Sequence, residues 1–264
     1  MKKTVLFFLV MIQMSVYTSM AQKSINEEYP TAMGHIQIST PQIAFNTIKN
    51  TDVLTDTLKI INVGEKEISM SFSELPAHIT CKLIPERLSP KQKGIIVLTW
   101  DALKSNYFGS VYERINLSTN DSVQLIKPLD ITAYIVEDFS NLTPEQLQNA
   151  AKIKFENTTY NFGSIKEGEK IETDFKFTNV GINDLFIRKV KASCGCTATH
   201  IDKIQLKKEE CSSIHATVDT RGRAGQLNKT ITVVCNDPDQ STIILSIIGK
   251  VDKISETPQK KSRK

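Results

Sequence analysis

Residues 174–182 read D-F-K-F-T-N-V-G-I, and residues 57–65, 117 positions earlier, read T-L-K-I-I-N-V-G-E. Both open with apolar residues at every second position, Phe175 and Phe177 in one and Leu58 and Ile60 in the other. A period of two buries one set of side chains and leaves the other in water, which is the pattern of a half-buried β-strand. Both close on Asn-Val-Gly, a turn signal. One strand and one turn are therefore written twice.

The repetition extends outward. Residues 43–48 (IAFNTI) resemble 160–165 (YNFGSI); Asp101 pairs with Asp219, Gly109 with Gly225, and Asn120-Asp121 with Asn236-Asp237 at offsets of 118, 116 and 116. So long and steady an offset marks duplication of a whole domain rather than a solenoid, whose repeats run to roughly 20–50 residues. Ile214, Ala216 and Val218 keep the phase of Ile96, Leu98 and Trp100. Ile231, Val233 and Cys235 match Ile115, Leu117 and Thr119, and Ile243, Leu245 and Ile247 give a last strand. A slip of one residue would turn every buried set outward, so agreement between copies supports the register. About seven short strands per copy, punctuated by turns, predict an all-β chain of two tandem immunoglobulin-like sandwiches. The Cys…Trp…Cys core of antibody domains is missing; the single Trp, Trp100, lies on a later strand.

The chain has 264 residues. Lys2 and Lys3 precede an apolar run over 4–16, and Ser19-Met20-Ala21 offers small residues at a cleavage site, so residues 1–21 read as a secretory signal cut after Ala21. The apolar run is shorter than the roughly 20 residues of a membrane span. The layout expected is signal 1–21, sandwich 36–136, helical connector 140–151, sandwich 153–251 and basic disordered tail 252–264. In the connector Thr143 suits a helix cap, Pro144 the first helical position and Glu145 the positive helix end. The formal charge is +4, but the signal and tail supply it, leaving the folded remainder near −1. A nucleic-acid binder needs a basic folded face, and this count offers none. The tail suits at most a weak contact with an anionic surface.

The stretches NFGSIKEGEKIETDFKFTNVG, SCGCT, VDTRGRAG and KTITVVCND occur in that order. They resemble the bacterial domain of unknown function 1573, an immunoglobulin-like family related to major-sperm-protein and cilia-associated modules and abundant in Bacteroidetes envelope proteins. The resemblance is close over 153–251 and weaker over 36–136, where only Cys81 stands near the place of the Cys-Gly-Cys. It implies fold and envelope location, and no activity.

Cys194-Gly195-Cys196 carries the one hint of chemistry. Two thiolates with His200 would suit Cu or Zn. A zinc site normally takes four ligands from two pairs, and one pair is present. Redox pairs more often read Cys-x-x-Cys at a helix start. In an exported protein the cysteines are expected to be structural. Cys194, Cys196, Cys211 and Cys235 allow three pairings. Cys211–Cys235 is attractive across a hairpin but opposed by phase, since Cys235 points inward with Ile231 and Cys211 outward with His215; the alternative joins Cys235 to Cys194 or Cys196 across the core. A staple of either kind is expected to add about 2–4 kcal/mol to the second copy alone.

Gly181, Gly222 and Gly225 are expected to serve backbone conformation, the last two within a connection between strands. It lacks the strand–loop–helix context of a phosphate loop. His215 alternates outward and reads as solvated; no histidine or carboxylate pair stands at catalytic spacing. The expected protein is an exported, non-enzymatic binding or spacer module with no cofactor, acting on an envelope protein or glycan. The alternative is a thiol or soft-metal protein using Cys194, Cys196 and His200.

Overall fold

The structure is a computed structural model that describes residues 26–253. The expected signal and nearly all of the expected tail lie outside the described residues. The chain divides between Ile135 and Val136 into two compact units.

Unit 1 contains β1 (Thr31–Met33), β2 (Ile36–Ile38), β3 (Gln42–Lys49), β4 (Val53–Asn62), β5 (Ile68–Phe72), β6 (Ile79–Ile84), β7 (Arg87–Leu88), β8 (Lys93–Asp101), β9 (Gly109–Thr119) and β10 (Ile126–Val136), and between β8 and β9 a short helix, α1 (Ala102–Ser105). One sheet runs β1-β2-β4-β8-β6 and the other β3-β10-β9-β5-β7. Unit 2 opens with α2 (Pro144–Gln148), capped by Thr143 and Gln146 in a capping box. Its strands are β11 (Ile153–Phe155), β12 (Thr159–Lys166), β13 (Lys170–Asn179), β14 (Leu185–Ala192), β15 (Thr197–Ile201), β16 (Gln205–Leu206), β17 (Cys211–Asp219), β18 (Gly225–Cys235) and β19 (Thr242–Asp252). Its sheets run β11-β13-β17-β15 and β12-β19-β18-β14-β16.

In strand letters, unit 2 is A-B-E-D facing A′-G-F-C, the immunoglobulin arrangement. The first strand is shared between sheets: β11 pairs antiparallel with β13, and β12 pairs parallel with β19. Unit 1 repeats the order and adds β1, which forms a hairpin with β2, the counterpart of β11. The alternations anticipated from sequence form the cores. Leu58, Ile60, Ile96, Leu98, Trp100, Ile115 and Leu117 are buried in unit 1; Phe175, Phe177, Ile214, Ala216, Val218, Ile231, Val233 and Leu245 in unit 2.

The twin Asn-Val-Gly turns have a shared physical reason. Asn62 and Asn179 are both fully buried. The Asn179 amide donates to the Asn183 and Leu206 carbonyls at 2.9 and 3.1 Å and accepts from the Gly181 and Lys152 amides at 3.0 and 3.3 Å. Asn62 donates to the Lys66 and Leu88 carbonyls at 2.7 and 2.9 Å and accepts from Gly64 at 2.9 Å. Each side chain thus satisfies buried backbone groups of the turn and of the strand beyond it. A Cβ at Gly181 would collide with the Ala150 carbonyl and the Lys152 amide, so close backbone approach requires glycine there.

The Asn-Asp step before the last strand works the same way. Asn120 accepts from Ser69 and donates to Glu67; Asn236 accepts from Phe186 and donates to Asp184. Asp237 accepts from the Ile153, Asp239 and Gln240 amides, and Asp121 from the His35 and Val123 amides. Unit 1 adds a buried charge. Lys127 pairs with Leu117 where Ile243 pairs with Val233. Its ammonium donates to Asp121 Oδ2 (2.8 Å) and to the Met33 and Gln124 carbonyls (2.6 and 2.8 Å). Burial pulls the Asp121 carboxyl up. The Lys127 ammonium and the His35 and Val123 donors outweigh it and hold the carboxyl well below the usual carboxylate range.

Candidate functional site

The Cys-Gly-Cys loop joins β14 to β15, the edge strand of its sheet. Cys194 and Cys196 are bonded to each other, with Cα atoms 5.4 Å apart. This corrects both longer pairings considered from sequence: Cys211 and Cys235 are free thiols. The phase argument explains why they cannot meet. Cys211 is exposed beside Thr178 Oγ1 at 3.2 Å, whereas Cys235 is fully buried in the unit 2 core. Burial pushes the Cys235 thiol up to about 12, and does the same to Cys81, which packs against the unit 1 core.

The loop is held from both sheets. Ser193 exchanges hydrogen bonds with Thr230 of β18 at 2.9 and 3.1 Å, and the Cys196 carbonyl accepts from the Asp219 amide at 3.0 Å. Beside it lies an open cleft of about 340 Å³, lined by Lys170, Cys196, Thr217, Asp219, Arg221 and Arg223 among others. Arg221 holds Asp219, whose carboxyl is pulled down to about 2 mainly by that guanidinium. The following connection carries Gly222 and Gly225 at φ of +70° and +104°, a region that L side chains rarely adopt.

His200 does not join the cysteines in a donor set. It lies directly opposite His215 across β15 and β17, the rings stacked at 16° with centroids 6.0 Å apart. His215 is not simply solvated: Nδ1 lies 2.6 Å from Asp174 Oδ1 and Nε2 2.8 Å from Asp202 Oδ1. The two carboxylates, Asp174 first, raise the imidazole above its ordinary value. The same Asp202 oxygen is 4.0 Å from His200 Nε2. Asp174 and Asp202 escaped the sequence reading, although the alternation of Asp174-Phe175-Lys176-Phe177 already put Asp174 on the outward face with His215. Which strands adjoin was the missing information.

Strand order and strand switching define a class, the tandem immunoglobulin-like sandwich. Within it, residues 153–251 match the family model described as a protein of unknown function, DUF1573. A crystal structure of a protein of unknown function from Porphyromonas gingivalis W83 is 17% identical, with 82% of this chain and 100% of that chain covered and a TM-score of 0.59. The ASH/PapD-like domain of human CEP192 is 15% identical over 44% of this chain and 96% of its own, with a TM-score of 0.34. At these identities the first likeness concerns the fold alone, and the second is too distant to build on. No curated protein matches the chain.

Proposed function

We propose that the protein is an exported, non-catalytic binding or spacer module, and that unit 2 engages an extended segment of another envelope protein along β15. One observation carries this reading. β15 ends its sheet, and its entry is tied covalently by Cys194–Cys196 and by hydrogen bonds to both sheets. An edge strand offers unpaired N–H and C=O groups to an added strand, and one already held in place loses less entropy on binding. The neighbouring Lys170, Arg221 and Arg223 would favour an acidic flank on the partner. Export rests on the signal-like residues 1–21; no helix among the described residues is long and apolar enough to cross a membrane.

The test is a photo-crosslinking residue in place of Ala198 on β15, compared in living cells with one in place of Lys154 on β11, the opposite edge of the sheet. A discrete protein adduct from position 198 and none from 154 is expected. No adduct at 198, or substrate turnover by the purified chain that a single substitution abolishes, would overturn the reading. A second reading, thiol–disulfide exchange, is favoured by the place of Cys196 in a cationic cleft, since nearby cations stabilise a thiolate. Mixed-disulfide trapping with a Cys194→Ser chain distinguishes it.

A further inference from the structure

The outer face of the β13–β17–β15 sheet carries a polar cluster that the fold does not require. The duplication supplies the comparison. Asp174, His215 and His200 lie side by side across three strands. The matching row of unit 1 is Thr57, Val97 and Lys82, paired across β4, β8 and β6. A sandwich of the same order thus stands without any of the three. Two imidazoles brought face to face, with Asp202 Oδ1 at 2.8 Å from one and 4.0 Å from the other, make a candidate ligand set.

We propose that His200, His215 and Asp202 form a surface site for one divalent transition-metal ion of the Zn(II) type, with Asp174 as the positioning residue behind His215. The geometry is close to what such an ion needs. Directly opposed residues of an antiparallel pair have Cβ atoms about 4.5–5.5 Å apart, within the bite of two imidazoles on one metal. Asp202 lies in the bend just after β15, and its carboxylate reaches the face of His200 and His215, as its 2.8 Å contact with His215 Nε2 shows. Zn–N and Zn–O bonds of about 2.0–2.1 Å in tetrahedral array put ligand atoms about 3.3 Å apart. His215 Nε2 and Asp202 Oδ1 stand at 2.8 Å and must open slightly, and His200 Nε2 and the same oxygen stand at 4.0 Å and must close by less than ~1 Å.

Among the described residues no three donors already converge on a metal position. His200 is the one that has to swing, and its side chain is 77% exposed and free to do so. His215 is the pre-set ligand: Asp174 accepts from Nδ1 and directs Nε2 outward, the carboxylate–histidine arrangement that orients metal-bound imidazoles. Two nitrogens and an oxygen, with a fourth position open to water, suit Zn(II), Cu(II) or Ni(II) rather than Mg(II) or Ca(II). The disulfide takes no part.

The test is calorimetric titration of the tag-free full chain with Zn(II), joined by electron paramagnetic resonance of the Cu(II) form. One site is expected, with a Cu(II) spectrum coupled to two imidazole nitrogens. His200→Ala and His215→Ala should each weaken Zn(II) at least a hundredfold, and Asp174→Asn about tenfold. His35→Ala, remote from the cluster in unit 1, should leave the affinity unchanged. Circular dichroism checks each variant; if His215→Ala unfolds, His200→Ala and the Cu(II) spectrum decide. Absence of binding at about 100 μM Zn(II), or unchanged affinity in His200→Ala, would overturn the proposal. Crosslinking at Ala198 needs no metal, so the two readings fail separately.

Discussion

Asn62 and Asn179 each occupy a buried position that an apolar side chain could fill, but each ties together backbone groups of its turn and of the strand beyond. Asn179→Ala removes four side-chain hydrogen bonds to backbone groups, two carbonyls and two amides, at once. We expect unit 2 to lose about 2–4 kcal/mol, read by urea unfolding of the full chain, with unit 1 unmoved. Lys127 presents the opposite problem, a charge where unit 2 has Ile243. Replacing both members of a buried pair by apolar groups is often tolerated, whereas removing one leaves the other uncompensated. Lys127→Met should therefore cost unit 1 about 3–5 kcal/mol through the stranded Asp121 carboxylate. The native pair also sets an acid limit. A carboxyl whose folded pKa lies below its unfolded value of about 3.9 gives full stability above that value and loses it as pH falls toward the folded value. Unit 1 should weaken below about pH 4, and Lys127→Met should flatten that dependence, as followed by fluorescence between pH 2 and 6.

At the scale of elements, the Cys194–Cys196 bond acts on the loop into β15 and not on the sandwich as a whole. A cross-link stabilises by shortening the unfolded chain's freedom, and this one closes a loop only two residues apart in sequence. Its contribution is about 1–1.5 kcal/mol, smaller than the 2–4 kcal/mol that a core-spanning staple would give. Reductant should lower the unit 2 transition by no more than that amount and leave unit 1 alone, measured by calorimetry with and without a phosphine reductant. An unchanged exchange rate for the β15 amides on reduction would show that the loop is held by its hydrogen bonds rather than by the disulfide.

At the scale of the molecule, two separate cores carry the stability, one built on Trp100 and one on Phe177. The single Trp is fully buried in unit 1, so its fluorescence reports that unit alone. Phe177→Ala should cost unit 2 about 3–5 kcal/mol by deleting a buried aromatic. The tryptophan transition should stay in place while the far-ultraviolet dichroism splits into two steps. Coincident shifts in both probes would show that the units unfold as one.

Much of this architecture is written locally. Alternation of period two in 57–60, 174–177 and 214–218 assigns faces without knowledge of neighbours, and the 117-residue echo assigns the second copy its strands. Even Lys127 was marked: it alternates inward with Leu129 and Ile131, so a buried cation was legible though not its partner. What the sequence could not supply is adjacency. Cys194 bonds to Cys196 because the β14–β15 loop folds tightly, while Cys211 and Cys235 face opposite sides of their strands. His215 meets Asp174 and Asp202 because β13, β17 and β15 lie side by side, although Asp174 is 41 residues away in the chain. Phase is a property of each strand, and sequence alone determined it. Contact depends on which strands hydrogen-bond to which, and the tertiary structure alone decided that.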